Sequence, residues 1–237
     1  VARVERSRLP PPPWRRRIVS GLKVAEEILW VANERRWTSI SSNRNPVQGE
    51  KMARPRRKTD LPVSEIRRYL EPGPIVLVTS AHGDERNIMT MGWHTVMEFT
   101  PSLVGCIIAG GNHSFGLIRR SKECVINLPT TALTDQVVGV GNTSGVEIDK
   151  FEKFKLTPET AQHVKAPLIA ECHASFECRL ADGSLISKYN FFIFEVVKAH
   201  VAASPKHPQT LHYTGDGVFM TAGKVISRRS QFRPAML

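Results

Sequence analysis

Asn87-Ile-Met-Thr-Met-Gly-Trp-His-Thr95 and Gly110-Gly-Asn-His-Ser-Phe-Gly-Leu-Ile-Arg-Arg120 are the stretches on which the reading of this chain turns. The first alternates small, polar and aromatic side chains as a half-buried strand does. The second leaves a strand, turns through two glycines and enters a short helix carrying Phe115, Leu117 and Ile118. Arg119 and Arg120 suit the C-terminus of that helix, which makes Asn112 to Ser114 its other end.

Asn and Ser are strong N-cap residues, and a helix N-terminus presents unpaired backbone N–H groups to an anion. Gly110 and Gly111 would let a ligand come close to the backbone. A phosphate pocket beside a flat, half-polar strand suits a flavin mononucleotide. The same residues also describe an ordinary capped helix after a glycine turn, and alone they leave both readings open.

Working outward, Glu71-Pro-Gly-Pro reads as a turn into a strand over 75–79, and His82-Gly-Asp-Glu-Arg as a turn into a strand over 88–99. Thr100-Pro-Ser turns again into a strand over 103–109. Short turns between successive strands predict an antiparallel meander. Beyond the helix, Cys124-Val-Ile-Asn-Leu-Pro predicts a strand and 133–140 a second helix. Strands over 170–180 and 187–203 follow, joined by a hairpin on Asp182-Gly183. At least six strands with short helices predict a closed or nearly closed barrel.

Residues 1–58 hold 15 Lys/Arg against 5 Asp/Glu, and residues 59–237 hold 18 against 17. The basic character therefore belongs to a leader, which also carries Leu9-Pro-Pro-Pro-Pro-Trp-Arg-Arg-Arg and an amphipathic pattern over 18–31. We read residues 1–51 as a Pro/Arg-rich leader, disordered or outside the native domain, and residues 52–237 as one domain. An interaction arm and a targeting segment are the other readings of the leader. The domain is expected to bind no nucleic acid. No apolar run has the length of a membrane span, so a soluble, cytoplasmic domain without a membrane partner is expected.

Cys106, Cys124, Cys172 and Cys178 form no C-x-x-C pair, which argues for buried free thiols and no metal site. Gly139-x-Gly-x-x-x-Gly145 lacks the helix that a dinucleotide fingerprint requires. No P-loop, G-x-S-x-G elbow or H-E-x-x-H helix is present. No side chain stands out as a catalytic nucleophile, and a cofactor carrying the chemistry is the economical reading.

Four ordered segments, Asn87-Ile-Met-Thr-Met-Gly-Trp, Asn112-His-Ser-Phe-Gly-Leu-Ile, Cys124-Val-Ile-Asn-Leu-Pro and Thr143-Ser-Gly…Asp149-Lys-Phe…Leu156-Thr, resemble the flavin reductase-like, FMN-binding split-barrel family, closest to its flavoredoxin-like branch. The resemblance implies a mainly β fold, a six-stranded antiparallel split β-barrel of Greek-key type with short helices, forming a homodimer with FMN near the interface. It implies that Thr90, Met91, Gly92, Trp93 and His94 line the ring and ribityl chain. Asn112, His113, Ser114 and Phe115 would hold the phosphate, with Asn87 and Asn127 as supporting polar groups. Trp93 reads equally as a ring-stacking residue and as a core or interface aromatic.

The implied activity is that of an oxidoreductase, an NAD(P)H-dependent flavin reductase using FMN, with FAD as the alternative flavin, and supplying an acceptor or a partner oxygenase. A non-catalytic FMN electron carrier and a degenerate small-ligand barrel are the rival readings. Asn112-His113-Ser114 stands where many relatives place Arg or Lys and then a hydroxyl residue, which leaves backbone N–H groups and His113 to balance a phosphate. Val140 stands where flavoredoxin-like relatives often carry Cys.

Overall fold

The computed structural model describes residues 55–66 and 73–233. The expected leader and its helical pattern at 18–31 lie outside the described residues. The strands are β1 Lys58–Leu61, β2 Val76–His82, β3 Glu85–Met91, β4 His94–Phe99, β5 Ser102–Ile107, β6 Glu123–Leu128, β7 Pro158–Glu159, β8 Leu168–Ile169, β9 Ala174–Asp182, β10 Phe191–Ala202, β11 Leu211–Gly215 and β12 Val218–Thr221. The helices are α1 His113–Ser121, α2 Thr134–Gly141, α3 Lys150–Lys153 and α4 Ile186–Tyr189.

The expected mainly β, antiparallel architecture is present. Its main sheet has eight strands in the order β3-β2-β6-β9-β10-β5-β4, with β1 added beside β10. The β2–β3 and β4–β5 hairpins form as the turn residues predict. The expected continuous strand over 88–99 does not. Gly92 and Trp93 divide it, and β3 and β4 fall at opposite ends of the sheet path.

That division closes the fold. Consecutive Cα atoms are about 3.8 Å apart, so the three steps from Met91 to His94 span at most about 11 Å. The sheet must curl until its two edges are that close. At the junction His94 Nε2 lies 2.7 Å from Pro74 O, and Ile107 N–H donates to Trp93 O at 3.0 Å. A Cβ on Gly92 would come within 2.9 Å of the Ile75 side chain.

One core lies inside the curl, built on Val76, Val78, Met89, Ile126, Phe176, Phe192 and Phe194. A second covers the outer face, where Leu77 and Ile88 meet Val137 and Val140 of α2, Phe151 of α3 and Leu211. β2 is thus buried on both faces, which accounts for its unbroken apolar run. Burial of Leu117 and Ile118 seats α1 on the sheet, worth about 1.5–3 kcal/mol per side chain. All four cysteines are buried free thiols. No described helix is long and apolar enough to cross a membrane.

The expected Asp182-Gly183 hairpin is replaced by a longer connection. β9 ends at Asp182, whose Oδ1 accepts from Ser184 N–H at 2.7 Å, and the chain returns through α4. Ile186 explains the detour, because it is buried in the inner core.

Edge strand β3 is closed by Lys150. Its ammonium donates to Ile88 O at 3.0 Å and to Val140 O at 2.9 Å, tying β3 to α2. Asp149 caps α3, with Oδ1 accepting from Phe151 N–H at 2.8 Å and Oδ2 receiving Arg86 at 3.1 Å. Lys150→Met keeps the apolar stem and leaves two carbonyls without a donor. It should lower unfolding free energy by about 1–3 kcal/mol in a denaturant titration at neutral pH. Burial also pulls the Lys150 pKa down to about 8 from its ordinary 10.5. Between those values the unfolded chain binds more protons at this site than the folded one, so stability rises with pH there. The wild-type protein should therefore gain on Lys150→Met as pH climbs through that window, and a flat difference would contradict the burial.

Candidate functional site

The residues expected to line a ligand wall surround the Gly92–Trp93 junction. Met91 points into the inner core, while Gly92 and Trp93 are exposed, the indole to 72 %. Alternation puts Thr90 on the outer face, where its hydroxyl donates to Val137 O at 2.7 Å and packs on Gly141. The Trp93 carbonyl extends the β4–β5 ladder one residue beyond the His94–Cys106 pair. Next to it, Gly105 has room only for hydrogen, since a Cβ there would overlap the Phe191 ring and the Met97 sulfur.

His94 is the most informative member. Pro74 O can only accept, so Nε2 carries the proton in their 2.7 Å contact. Burial lowers the imidazole pKa, with the carbonyl bond opposing it, and keeps the ring neutral. Nδ1 is then an acceptor, buried and without a partner among the described residues. A buried lone pair with no donor is costly, and a ligand hydroxyl or N–H would satisfy it.

At the other candidate cluster, α1 starts as expected, with Asn112 as N-cap and its Oδ1 accepting from Ser114 N–H at 3.0 Å. Phe115 N–H donates to Asn112 O at 2.9 Å. Two of the helix's first amides are therefore already occupied by the cap. The Ser114 hydroxyl faces inward, fully buried, and accepts from Asn87 Nδ2 at 2.9 Å and Ser80 Oγ at 3.2 Å. His113 Nε2 lies 2.9 Å from Glu85 Oε1, and Arg120 reaches the other oxygen at 3.4 Å. Phe115 meets Phe192 edge to face at 5.4 Å. Gly110 and Gly111 are exposed, and a Cβ on Gly111 would touch nothing. A Cβ on Gly110 would meet only Asn190 Oδ1, at 3.8 Å.

Asn127 belongs to neither cluster. Fully buried, it donates to Leu77 O at 3.2 Å and accepts from Ile169 N–H at 3.0 Å and Ser175 Oγ at 2.8 Å. Register places Thr90, Leu77, Asn127 and Ser175 on one face of the sheet. Asn87 and Ser80 share the opposite face. The sequence motif thus divides into an exposed junction at Gly92 and Trp93 with half-buried His94 beside it, a polar knot around Ser114, and residues that brace the sheet.

This fold and arrangement agree with a comparison at the family level, in which the model of the flavin reductase-like domain matches residues 67–221. The chain belongs to the flavin reductase-like family. Among family relatives, it is 32 % identical over 174 residues to the uncharacterized protein YddH of Escherichia coli K12, covering 68 % of this chain and 92 % of that one. It is 33 % identical over 129 residues to an uncharacterized protein of Archaeoglobus fulgidus, covering 54 % and 72 %. An FMN-binding domain of a flavin reductases-like enzyme from Shewanella baltica OS155 shares the fold with a TM-score of 0.69 and 22 % identity, covering 73 % of this chain and 98 % of that one. Flavoredoxin of Desulfovibrio vulgaris (Miyazaki F) does so with a TM-score of 0.61 and 20 % identity, covering 79 % and 97 %.

For a flavin reductase-like domain, sequence reasoning missed three participants. Glu85 faces His113 from the β2–β3 turn, Ser80 completes the knot from inside an apolar strand, and Gly145 covers Asn87 so closely that a Cβ would overlap its carboxamide. The hydroxyl at 80 inside an apolar run was the one available signal. Ser114→Ala would remove the acceptor of two buried donors, and stability should fall by about 1–3 kcal/mol in the ligand-free protein. Unchanged stability with weakened ligand binding would instead make Ser114 a ligand contact.

Proposed function

We propose that this chain is an FMN-binding, NAD(P)H-dependent flavin reductase acting as a homodimer. The observation that carries the reading is the exposed Gly92–Trp93 junction with the unpartnered His94 Nδ1 beside it. A bound flavin supplies the redox chemistry, taking a hydride equivalent from reduced nicotinamide and passing two electrons to an acceptor. The chain's own task is to bind and orient. Backbone N–H groups over 91–93 and His94 Nδ1 hold the ring edge and ribityl hydroxyls, and the open backbone at Gly110, Gly111 and His113 receives the phosphate. Thr90, Asn87 and Asn127 act behind this wall as bracing groups.

The face that adjoins the junction supports the homodimer. Trp93 at the junction, Met97 on β4 and Ile107 on β5 are exposed, to 72 %, 44 % and 40 %. An apolar strip of this kind marks an interface. A second copy would cover it and shield a flavin at its margin from water.

Anaerobic spectra test the activity directly. FMN should bind with a perturbed spectrum and bleach within turnover times on addition of NADH or NADPH. Binding without bleaching would overturn the reductase reading in favour of an electron carrier. Phosphate placement has its own test, because Glu85 puts a carboxylate beside His113. Glu85→Gln removes that like charge and should tighten FMN binding about threefold, the scale of an exposed charge pair; unchanged affinity would remove the phosphate from this helix end. Light scattering should give twice the chain mass for the wild-type protein and the single-chain mass for Met97→Asp/Ile107→Asp.

A further inference from the structure

A cavity of about 400 Å³ opens beside the β11–β12 hairpin, with Leu128, Lys206, His207, Thr210, His212 and Val225 in its lining. Its volume is in the range of small-molecule sites. Lys206 and two imidazoles line it, no described Asp or Glu does, and Ala222 and Val225 supply apolar surface. Thr210 is buried, and its hydroxyl is 2.9 Å from His212 Nε2, which fixes that ring. Charge along the chain supports the same point. Residues 59–202 carry 13 Lys/Arg against 16 Asp/Glu, whereas residues 203–237 carry 5 against 1. The C-terminal segment that carries this hairpin has a basic excess, which favours an anionic ligand.

Position relates the cavity to the junction. Ile75 stands opposite Gly92 across β2 and β3, and on its other side Ile75 N–H donates to Leu211 O at 2.7 Å. Gly92, Ile75 and Leu211 therefore lie on three neighbouring backbone segments, about 10 Å from first to last at strand spacing. Thr210 and His212 flank Leu211.

We propose that this cavity binds the adenosine diphosphate half of an adenine dinucleotide whose redox-active ring lies at the Gly92–Trp93 junction. The assignment rests on the flavin reading above. Lys206, His207 and His212 meet the diphosphate, and Ala222 and Val225 pack against the base. The dinucleotide is the nicotinamide reductant or FAD itself, which share this half.

ADP is the probe, titrated into the full chain with and without Lys206→Glu/His207→Glu. The variant should bind ADP at least tenfold more weakly while its affinity for FMN stays within twofold of wild type. A matching rise in KM for NADH or NADPH at unchanged kcat assigns the site to the reductant. Unmoved KM with FAD affinity reduced to that of FMN assigns it to FAD. Equal ADP binding by both proteins, or none by the wild type, overturns the proposal. So does a parallel loss of FMN affinity, which would make the cavity the flavin phosphate site. A wild-type protein that takes ADP in this cavity but no flavin would refute the flavin reading and retain the anion site.

Discussion

Two residues, Gly92 and Trp93, carry the chain from one edge of an eight-stranded sheet to the other, and the rest of the molecule is arranged around that short reach. The tether obliges the sheet to curl, which creates an enclosed inner core with Phe176, Phe192 and Phe194 and an outer face that α2 and α3 must cover. It also forces backbone into the open at the junction, since β3 and β4 do not pair with one another. Neutral His94 fastens the closure through Pro74 O and, by spending Nε2 there, leaves Nδ1 free to accept. The ring that fastens the closure is thus the one that presents an unused acceptor beside the junction.

Electrostatics then divide the surface. The N-terminus of α1 has its cap in place and a carboxylate nearby, with Glu85 sharing His113 and Arg120. The β11–β12 hairpin offers a cationic cavity lined by no described acid. A nucleotide ligand with more than one phosphate group could be read by both regions, and their differing charge environments separate the two roles.

Much of this was legible in the chain. Local signals located α1, its Asn112 cap, the β2–β3 and β4–β5 turns and the buried thiols, because each depends on neighbours within a few residues. What was not legible depended on distant partners. Nothing in the alternation of Ile88 to Phe99 marks the break, and the requirement for glycine at 92 comes from distant Ile75, whose side chain leaves no room for a Cβ there. The inward turn of the Ser114 hydroxyl is not legible locally, because its partners Ser80 and Asn87 lie on strands β2 and β3. Asn127 sat in an apolar run with no hint that Ile169 and Ser175 would claim its carboxamide. Period-two alternation alone could have separated Thr90 from Asn87, because an odd interval puts them on opposite faces.

The central claim is that flavin rests against the junction, and Trp93 is the probe placed to report it. FMN should quench the tryptophan emission of the full chain at one flavin per chain, and Trp93→Phe should abolish most of that quenching while leaving the emission of Trp14, Trp30 and Trp37 in place. Equal quenching in the wild-type protein and in Trp93→Phe would place the flavin elsewhere and contradict the account.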